Sequence, residues 1–318
     1  MPEQFCRWCA EPVGSRDRFC EECGARVADQ RRDRVEVDVG IAAGISDQGL
    51  RHLRNEDALA LRCVRLGAGP GLAQHGAAVA VVCDGVSSAA RPDEASEVAA
   101  EVAAETLVAA LHADGGLVAA TREAIHAAGQ AVAGLAGSDG TPRGAPACTF
   151  VSAVVTGGAV TVGWVGDSRA YWIPRTRTES APSTKPTKLT EDDSWLTQVL
   201  AAGTLTPAQA AADRRAHAIT AWLGEDAAPL DPHVLTFEPE GRGVVVLCTD
   251  GLWNYLDNVD ELAAALPAHA AEAPLDAARR LVEIALHCGG HDNITVAVLP
   301  FPTPQSAHHE EDLRDQDP

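Results

Sequence analysis

The chain lacks the long apolar runs that mark a membrane protein. No stretch approaches about 18 consecutive apolar residues, so we expect no transmembrane helix. The first six residues also lack the basic start and apolar core of a signal peptide. We therefore expect a cytoplasmic protein that does not bind membranes.

Positive charge is scarce as well. The sequence has 25 Lys and Arg residues against 45 Asp and Glu residues, a formal net charge of −20. Nucleic acids and anionic membranes both attract clustered Lys and Arg, so this balance argues against either partner. An acidic chain can still bind phosphorylated ligands when metal ions invert the local charge.

The 318 residues contain no internal repeat, and 46% of them are hydrophobic, as in an ordinary globular protein. Strand-like segments cluster around residues 149–173, and helix-like segments cluster around residues 95–135. This grouping favours a layered α+β architecture over a regular βαβ series. We predict a ribbon at residues 1–27, a linker at 28–36, a main domain at 37–300 and an acidic disordered tail at 301–318.

Cysteine is crowded at one end of the chain. Four of the nine cysteines form two C-x-x-C pairs, Cys6 with Cys9 and Cys20 with Cys23. Four thiolates are the tetrahedral set that Zn²⁺ prefers, and so short a segment needs an ion to fold. We predict a structural zinc ribbon, similar to the modules of many bacterial regulatory proteins, with a possible protein partner. Two chance pairs of thiols are the alternative.

Two strand candidates each end in an Asp-Gly pair, and acidic residues flank other apolar stretches. Carboxylates that meet at one sheet edge repel unless cations hold them, and oxygen ligands suit Mg²⁺ or Mn²⁺. Two such ions about 4 Å apart can share a water and clamp a phosphoryl group, so the pattern favours phosphoester hydrolysis. The acidic residues are Glu56, Asp57, Asp84, Asp250 and Asp292.

The ordered motifs resemble those of the metal-dependent protein serine/threonine phosphatases, the PPM or type 2C family. The resemblance spans about residues 38–300 and implies a four-layer α-β-β-α sandwich after the zinc ribbon, with a flap at residues 189–224. The matching segments are 46–49 (SDQG), 54–57 (RNED), 82–85 (VCDG), 148–149 (CT), 163–171 (GWVGDSRAY), 189–194 (LTEDDS), 248–253 (CTDGLW) and 292–293 (DN).

The resemblance implies a role for each matching residue. Asp84 would bridge two Mn²⁺ or Mg²⁺ ions, and the Gly85 carbonyl would ligate one of them. Asp250 and Asp292 would hold the other ion, and a metal-bridged hydroxide would attack phosphorus without a covalent intermediate. The residues expected to position metal-bound waters are Glu56 and Asp57. Asp167 is expected to be structural, holding its turn through side-chain-to-backbone bonds.

Two segments depart from the family pattern. His52 stands where the family usually has a phosphate-binding arginine, between Arg51 and Arg54. Protonated His52 could contact phosphate and protonate the leaving oxygen, or His52 could merely pack while Arg51 or Arg54 reaches the phosphate. The candidate catalytic residues are therefore Asp84, Asp250, Asp292, His52 and Arg54.

The site for a third metal ion is weakened in this sequence. Gly144 and Asn254 replace the acids that the family usually has at these positions. Asp139 could substitute only if its loop bends differently. We expect two tightly bound ions and a weak or missing third.

These features predict a protein-serine/threonine phosphatase that acts on phosphorylated proteins. One alternative is a degenerate phosphatase fold that binds phosphoproteins without hydrolysing them. Another is a phosphohydrolase of small phosphoesters or of a phosphorylated anti-sigma antagonist.

Overall fold

A computed structural model describes residues 4–5, 11–13, 22–23, 34–66, 75–113, 115–136, 145–175 and 185–303. The strands are β1 (Gln4–Phe5), β2 (Pro12–Val13), β3 (Arg34–Asp38), β4 (Ala43–Asp47), β5 (Asp57–Leu66), β6 (His75–Asp84), β7 (Ala147–Cys148), β8 (Phe150–Val155), β9 (Val160–Val165), β10 (Arg169–Pro174), β11 (Thr187–Lys188), β12 (Leu223–Gly224), β13 (His233–Phe237), β14 (Gly243–Cys248) and β15 (Ile294–Phe301). The helices are α1 (Pro92–His112), α2 (Leu117–Gly134), α3 (Trp195–Ala201), α4 (Pro207–Ala211), α5 (Asp250–Trp253), α6 (Val259–Ala265) and α7 (Pro274–His287).

Two antiparallel sheets form the centre of the fold. One has the order β11-β10-β14-β15-β4-β3, and the other has the order β13-β9-β8-β6-β5. Strands β7 and β12 pair with each other beside the second sheet, and β1 pairs with β2. None of the helices within the described residues is both long and apolar enough to cross a bilayer.

Three buried clusters separate four layers. One lies between the two sheets, one between the five-stranded sheet and α1 with α2, and one between the six-stranded sheet and α5 to α7. Strand β6 is buried on both faces, which is why its sequence is a continuous apolar run. Its residues alternate between helices and partner sheet: Ala77, Val79 and Val81 face the helices, and Ala78, Ala80 and Val82 face the other sheet. The predicted α+β sandwich is confirmed.

Small side chains let the helices approach the five-stranded sheet closely. The buried face of α1 is mostly alanine, and α2 packs against both α1 and β9. A Cβ at Gly163 on β9 would lie 2.3 Å from Cγ2 of Thr121 on α2, so only glycine fits there. The alanine-rich pattern therefore reflects tight packing as well as helix propensity.

The pairing register brings several acidic strand ends to one edge of the sandwich. Asp57 pairs with Asp84, and Ile294 pairs with Asp47. Cys248 pairs with both Val296 and Arg169, so the residues just after β14 lie beside those just before β15 and β10. The topology thus places Asp84, Asp250 and Asp292 at a common edge.

The first strand of the main domain begins within the predicted linker at 28–36. Val35 and Val37 alternate with charged residues in β3, and Arg34 forms an ion pair with Asp47 at 3.0 Å. This alternation suits an edge strand with one solvated face. Residues 304–318, where the disordered tail is predicted, lie outside the described residues.

Candidate metal centre

Asp57 has one satisfied and one orphaned carboxylate oxygen. Its Oδ2 accepts hydrogen bonds from the hydroxyls of Thr249 at 2.9 Å and Thr295 at 2.8 Å. Its Oδ1 is buried and accepts no hydrogen bond from any described residue. Burial raises the pKa of Asp57 to about 8; the threonine hydroxyls oppose this rise, and the charges of Asp250 and Asp292 add to it. A buried oxygen in this state calls for a cation, a water or a proton.

Asp84 and Asp250 form a carboxyl pair beside Asp57. Burial, followed by the charges of Asp57 and Asp250, raises the pKa of Asp84 well above its usual value. Burial and the charge of Asp292 raise the pKa of Asp250 to about 6, although a hydrogen bond with Asp84 lowers it. The two carboxylates repel each other in this buried place, so the metal-free pair favours holding a proton between them.

The backbone around Asp84 and Gly85 is held tightly. The Asp84 amide donates to Oγ1 of Thr149 at 3.1 Å, and the Gly85 amide donates to the Glu56 carbonyl at 3.1 Å. A Cβ at Gly85 would lie 2.5 Å from the Pro92 carbonyl oxygen. In the second Asp-Gly pair, a Cβ at Gly251 would lie 1.9 Å from the carbonyl oxygen of Asn293. Both glycines are therefore required by close backbone packing, as well as by the turn.

His52 contacts one of the predicted metal ligands. Its Nε2 lies 3.1 Å from Oδ1 of Asp292, which is the more exposed partner of the two. Asp292 Oδ1 also accepts a hydrogen bond from the Asn293 amide at 2.8 Å. His52 is thus beside the acidic cluster, and its contact with phosphate stays a prediction.

Arg54 forms ion pairs with Glu56 and Asp93 rather than with the aspartates of the cluster. Its Nε donates to Oε1 of Glu56 at 2.8 Å, and a second nitrogen lies 3.5 Å from Asp93. The other Glu56 oxygen accepts from Ser87 Oγ at 2.6 Å, so both oxygens of this buried carboxylate already have donors. Arg51 is exposed, with no ion pair to another described residue. Arg54 and Glu56 therefore form a supporting pair beside the cluster.

Asn254 stands where the family pattern has an acid, and it acts as a hydrogen-bond donor instead. Its side-chain nitrogen donates to Oδ2 of Asp250 at 3.3 Å. An amide donor at this point supplies no negative charge for another cation. Gly144 and Asp139 lie outside the described residues.

Asp167 is buried in the turn between β9 and β10, near the acidic cluster. Its carboxylate bonds only its own backbone amide among the described residues. Burial, then the charges of Asp250 and Asp192, raises the pKa of Asp167 to about 7. Because Arg169 pairs with Cys248, Asp167 and Asp250 both lie just beyond the ends of neighbouring strands. Asp167 thus makes the side-chain-to-backbone bond expected of it, and its charge adds to the buried negative charge near Asp250.

The donor set fits divalent cations that prefer oxygen. In the part of the chain that the structure describes, no three His, Cys, Asp or Glu side chains already form a ready metal-binding group. The raised pKa values and the orphaned Asp57 oxygen nevertheless indicate a surplus of buried negative charge. Protons relieve that repulsion in the absence of cations, and Mn²⁺ or Mg²⁺ would relieve it by binding.

The predicted zinc ligands fall almost entirely beyond what the structure describes. Cys6, Cys9 and Cys20 lie outside the described residues, and Cys23 is exposed. Strands β1 and β2, which flank the first C-x-x-C pair in sequence, pair antiparallel. The zinc ribbon stays a prediction.

Proteins of known function are similar to this chain in sequence. The chain is similar to the serine/threonine protein phosphatase PstP of Mycobacterium tuberculosis, with 27% identity over 263 residues. That match covers 80% of this chain and 44% of the relative, so the chain spans less than half the length of PstP.

Solved structures share the fold. The PPM Ser-Thr phosphatase MsPP from Mycobacterium smegmatis, in complex with cacodylate, is 27% identical with a TM-score of 0.56, covering 83% of this chain and 99% of that one. The catalytic domain of PstP, in complex with two manganese ions, is 25% identical with a TM-score of 0.57, covering 83% and 97%. The family model described as Protein phosphatase 2C matches residues 52–283, which is most of the sequence. The chain belongs to the protein phosphatase 2C family.

Proposed function

We propose that this protein is a metal-dependent phosphatase that hydrolyses phosphoserine and phosphothreonine in proteins. The observation that carries the proposal is the buried, orphaned oxygen of Asp57 beside Asp84, Asp250 and Asp292. The names of the relatives support it, since PstP is a serine/threonine phosphatase and the structure of its catalytic domain holds two manganese ions.

Oxygen atoms of the cluster would hold the two ions. Asp84, the Gly85 carbonyl, Asp250 and Asp292 would hold them, with Asp84 expected to serve both ions. Mn²⁺ or Mg²⁺ bound in this way polarises a phosphoryl group and lowers the pKa of a bound water. Asp57 offers Oδ1 to a water while the two threonines fix its other oxygen. With Asn254 donating to Asp250, a third ion is expected to bind weakly.

The basic side chains near the cluster are assigned two different roles. We assign phosphate contact to His52 and Arg51, because His52 lies against Asp292 and Arg51 is exposed beside it. We assign Arg54 a positioning role, since it holds the buried Glu56 carboxylate. Arg54→Gln should then lower kcat/KM less than His52→Gln combined with Arg51→Gln. The opposite order would return the phosphate contact to Arg54.

The test is hydrolysis of a phosphothreonine peptide with Mn²⁺, Mg²⁺ or EDTA. We expect turnover with either metal and none with EDTA or in the Asp250→Asn variant. Asp260→Asn makes the same change on an exposed residue of α6 and serves as the matched control. Turnover that survives both EDTA and Asp250→Asn would refute the proposal. Phosphopeptide binding without turnover in any metal would instead favour the degenerate binding module.

The zinc ribbon, its protein partner and a cytoplasmic location are further parts of this proposal. They depend on the C-x-x-C spacing and on a composition suited to a reducing compartment. Four thiolates would close the zinc coordination sphere, so the ribbon is assigned no catalytic role.

A further inference from the structure

We infer that a pocket at the base of the flap binds a basic side chain, arginine or lysine, of the phosphoprotein substrate. This flap pocket has a volume of about 200 Å³ and is separate from the acidic cluster. The inference rests on the proposed function. The pocket's main lining residues are Val165, Asp193, Ala221, Trp222, Leu230 and Asp231.

The flap pocket lies within reach of a peptide bound at the metal centre. Gly85 forms a β-bridge with Cys148, and Cys148 pairs with Leu223, the neighbour of Trp222. Two strand spacings of about 4.8 Å separate Gly85 from Leu223, which is about 10 Å. An extended peptide advances about 3.3 Å per residue, so the pocket would receive the third residue from the phosphorylated one.

The walls suit a long side chain with a cationic end. Ala221 and Leu230 supply apolar surface for its methylene groups. The half-buried indole of Trp222 is fixed by a hydrogen bond from its Nε1 to Asp226 at 3.1 Å, and an indole face attracts guanidinium and ammonium groups. Asp231 is fully exposed at the rim, where its nearest cation is Arg122 at 4.0 Å. An aromatic face next to an open carboxylate therefore selects a positive charge.

The remaining charges around the pocket favour the same occupant. Asp193 has both oxygens engaged, one 2.9 Å from His233 Nε2 and one accepting from the Gly166 amide at 2.9 Å. His233 is in turn stacked on Trp164 at 4.9 Å between ring centroids. Asp226 adds a third carboxylate, and the chain as a whole carries −20. An acidic or neutral side chain would gain less here than a basic one.

Matched peptides test the inference. Two pairs of phosphothreonine peptides carry either Arg or Gln three residues from the phosphothreonine, before it in one pair and after it in the other. For one of the two pairs we expect kcat/KM to favour Arg about fivefold to tenfold, the combined effect of a cation–π contact and one exposed ion pair. Asp231→Asn and Trp222→Leu should each reduce that ratio to about two or less. The control Asp260→Asn should keep it.

Two outcomes would overturn the inference. One is a ratio of one for both pairs in the wild-type chain, and the other is a ratio that Asp231→Asn and Trp222→Leu leave intact. Hydrolysis of para-nitrophenyl phosphate, which has no peptide chain, reports on the metal centre separately. A chain that turns over neither substrate would refute the proposed function. The dissociation constants of the same peptides, measured by fluorescence anisotropy, would then test whether the pocket prefers a basic side chain. Equal constants for the Arg and Gln peptides would refute that preference.

Discussion

Arg169 joins the start of the flap to the helix that carries Asp250. Its side chain is 7% exposed, with Nε 3.0 Å from one oxygen of Asp192 and Nη2 2.7 Å from the other. Its third nitrogen lies 2.6 Å from Asp257, and the guanidinium carbon lies 3.8 Å above the ring of Trp253. Trp253 ends α5 and donates from Nε1 to the Asp167 carbonyl. Arg169 is therefore expected to stabilise both the fold and the acidic cluster.

We expect Arg169→Met to lower the free energy of unfolding by about 3 kcal/mol. Breaking a buried ion pair costs about 3 to 5 kcal/mol, because the remaining charge loses its partner. Lys188, 3.2 Å from Asp192, keeps part of that charge compensated, and Asp257 is 76% exposed and adds little. The lost cation–π contact adds about 1 kcal/mol. Half-saturation with Mn²⁺ should rise about tenfold, because Arg169 covers Trp253 of α5, the helix that begins with Asp250.

Urea unfolding of the full chain measures the effect, with Arg279→Met as the control. Arg279 also contacts two carboxylates, Glu36 at 2.7 Å and Asp276 at 3.2 Å, but it is 44% exposed. Its loss should cost less than about 1 kcal/mol. In the Arg169→Met/Asp192→Asn double variant, the loss should be smaller than the sum of the two single losses. Equal losses for Arg169→Met and Arg279→Met would refute this reasoning.

Three further predictions follow from the site and the N-terminal cysteines. Burial and the charge of Asp292 raise the pKa of Asp250 to about 6, above its value in the unfolded chain. The metal-free protein therefore loses folding stability as the pH rises from about 4 to 6. In EDTA, Asp250→Asn should stabilise the protein by about 1 to 3 kcal/mol at pH 8 and by about half as much at pH 5. Equal gains in thermal unfolding at both pH values would contradict that. Gly85→Ala should lower the free energy of unfolding by about 2 kcal/mol and abolish turnover, because the added Cβ would lie 2.5 Å from the Pro92 carbonyl oxygen. The control Gly134→Ala, whose Cβ would have open space around it, should change neither. The purified chain should contain one zinc ion by elemental analysis, and Cys20→Ser with Cys23→Ser should remove it; zinc retained in that variant would refute the ribbon.

Local patterns predicted much of the fold. Residues 150–155 and 160–165 read as strands from their β-branched runs, and they form β8 and β9. The apolar runs before the two Asp-Gly pairs form β6 and β14, buried on both faces. Such runs are informative because burial on two faces leaves no polar alternation to blur them.

The side-chain contacts within the site could not be predicted from local patterns. The threonines that hold Asp57 lie 192 and 238 residues away in sequence, and His52 meets Asp292 through a loop contact. The bond of Asp167 to its own backbone is a local feature, common for an aspartate in a turn, and it could be predicted. The influence of the Asp250 charge on Asp167 depends on the pairing of β10 with β14, which no local pattern encodes.

Anomalous diffraction from crystals grown with Mn²⁺ would test the central claim most directly. The account predicts two anomalous peaks with Asp84 between them, one also bounded by Asp250 and Asp292 and the other by the Gly85 carbonyl, with the orphaned Asp57 oxygen at the same edge. The Asp84→Asn variant should lose at least one of them. An absence of peaks at this edge at saturating Mn²⁺, or peaks that persist unchanged in Asp84→Asn, would contradict the account.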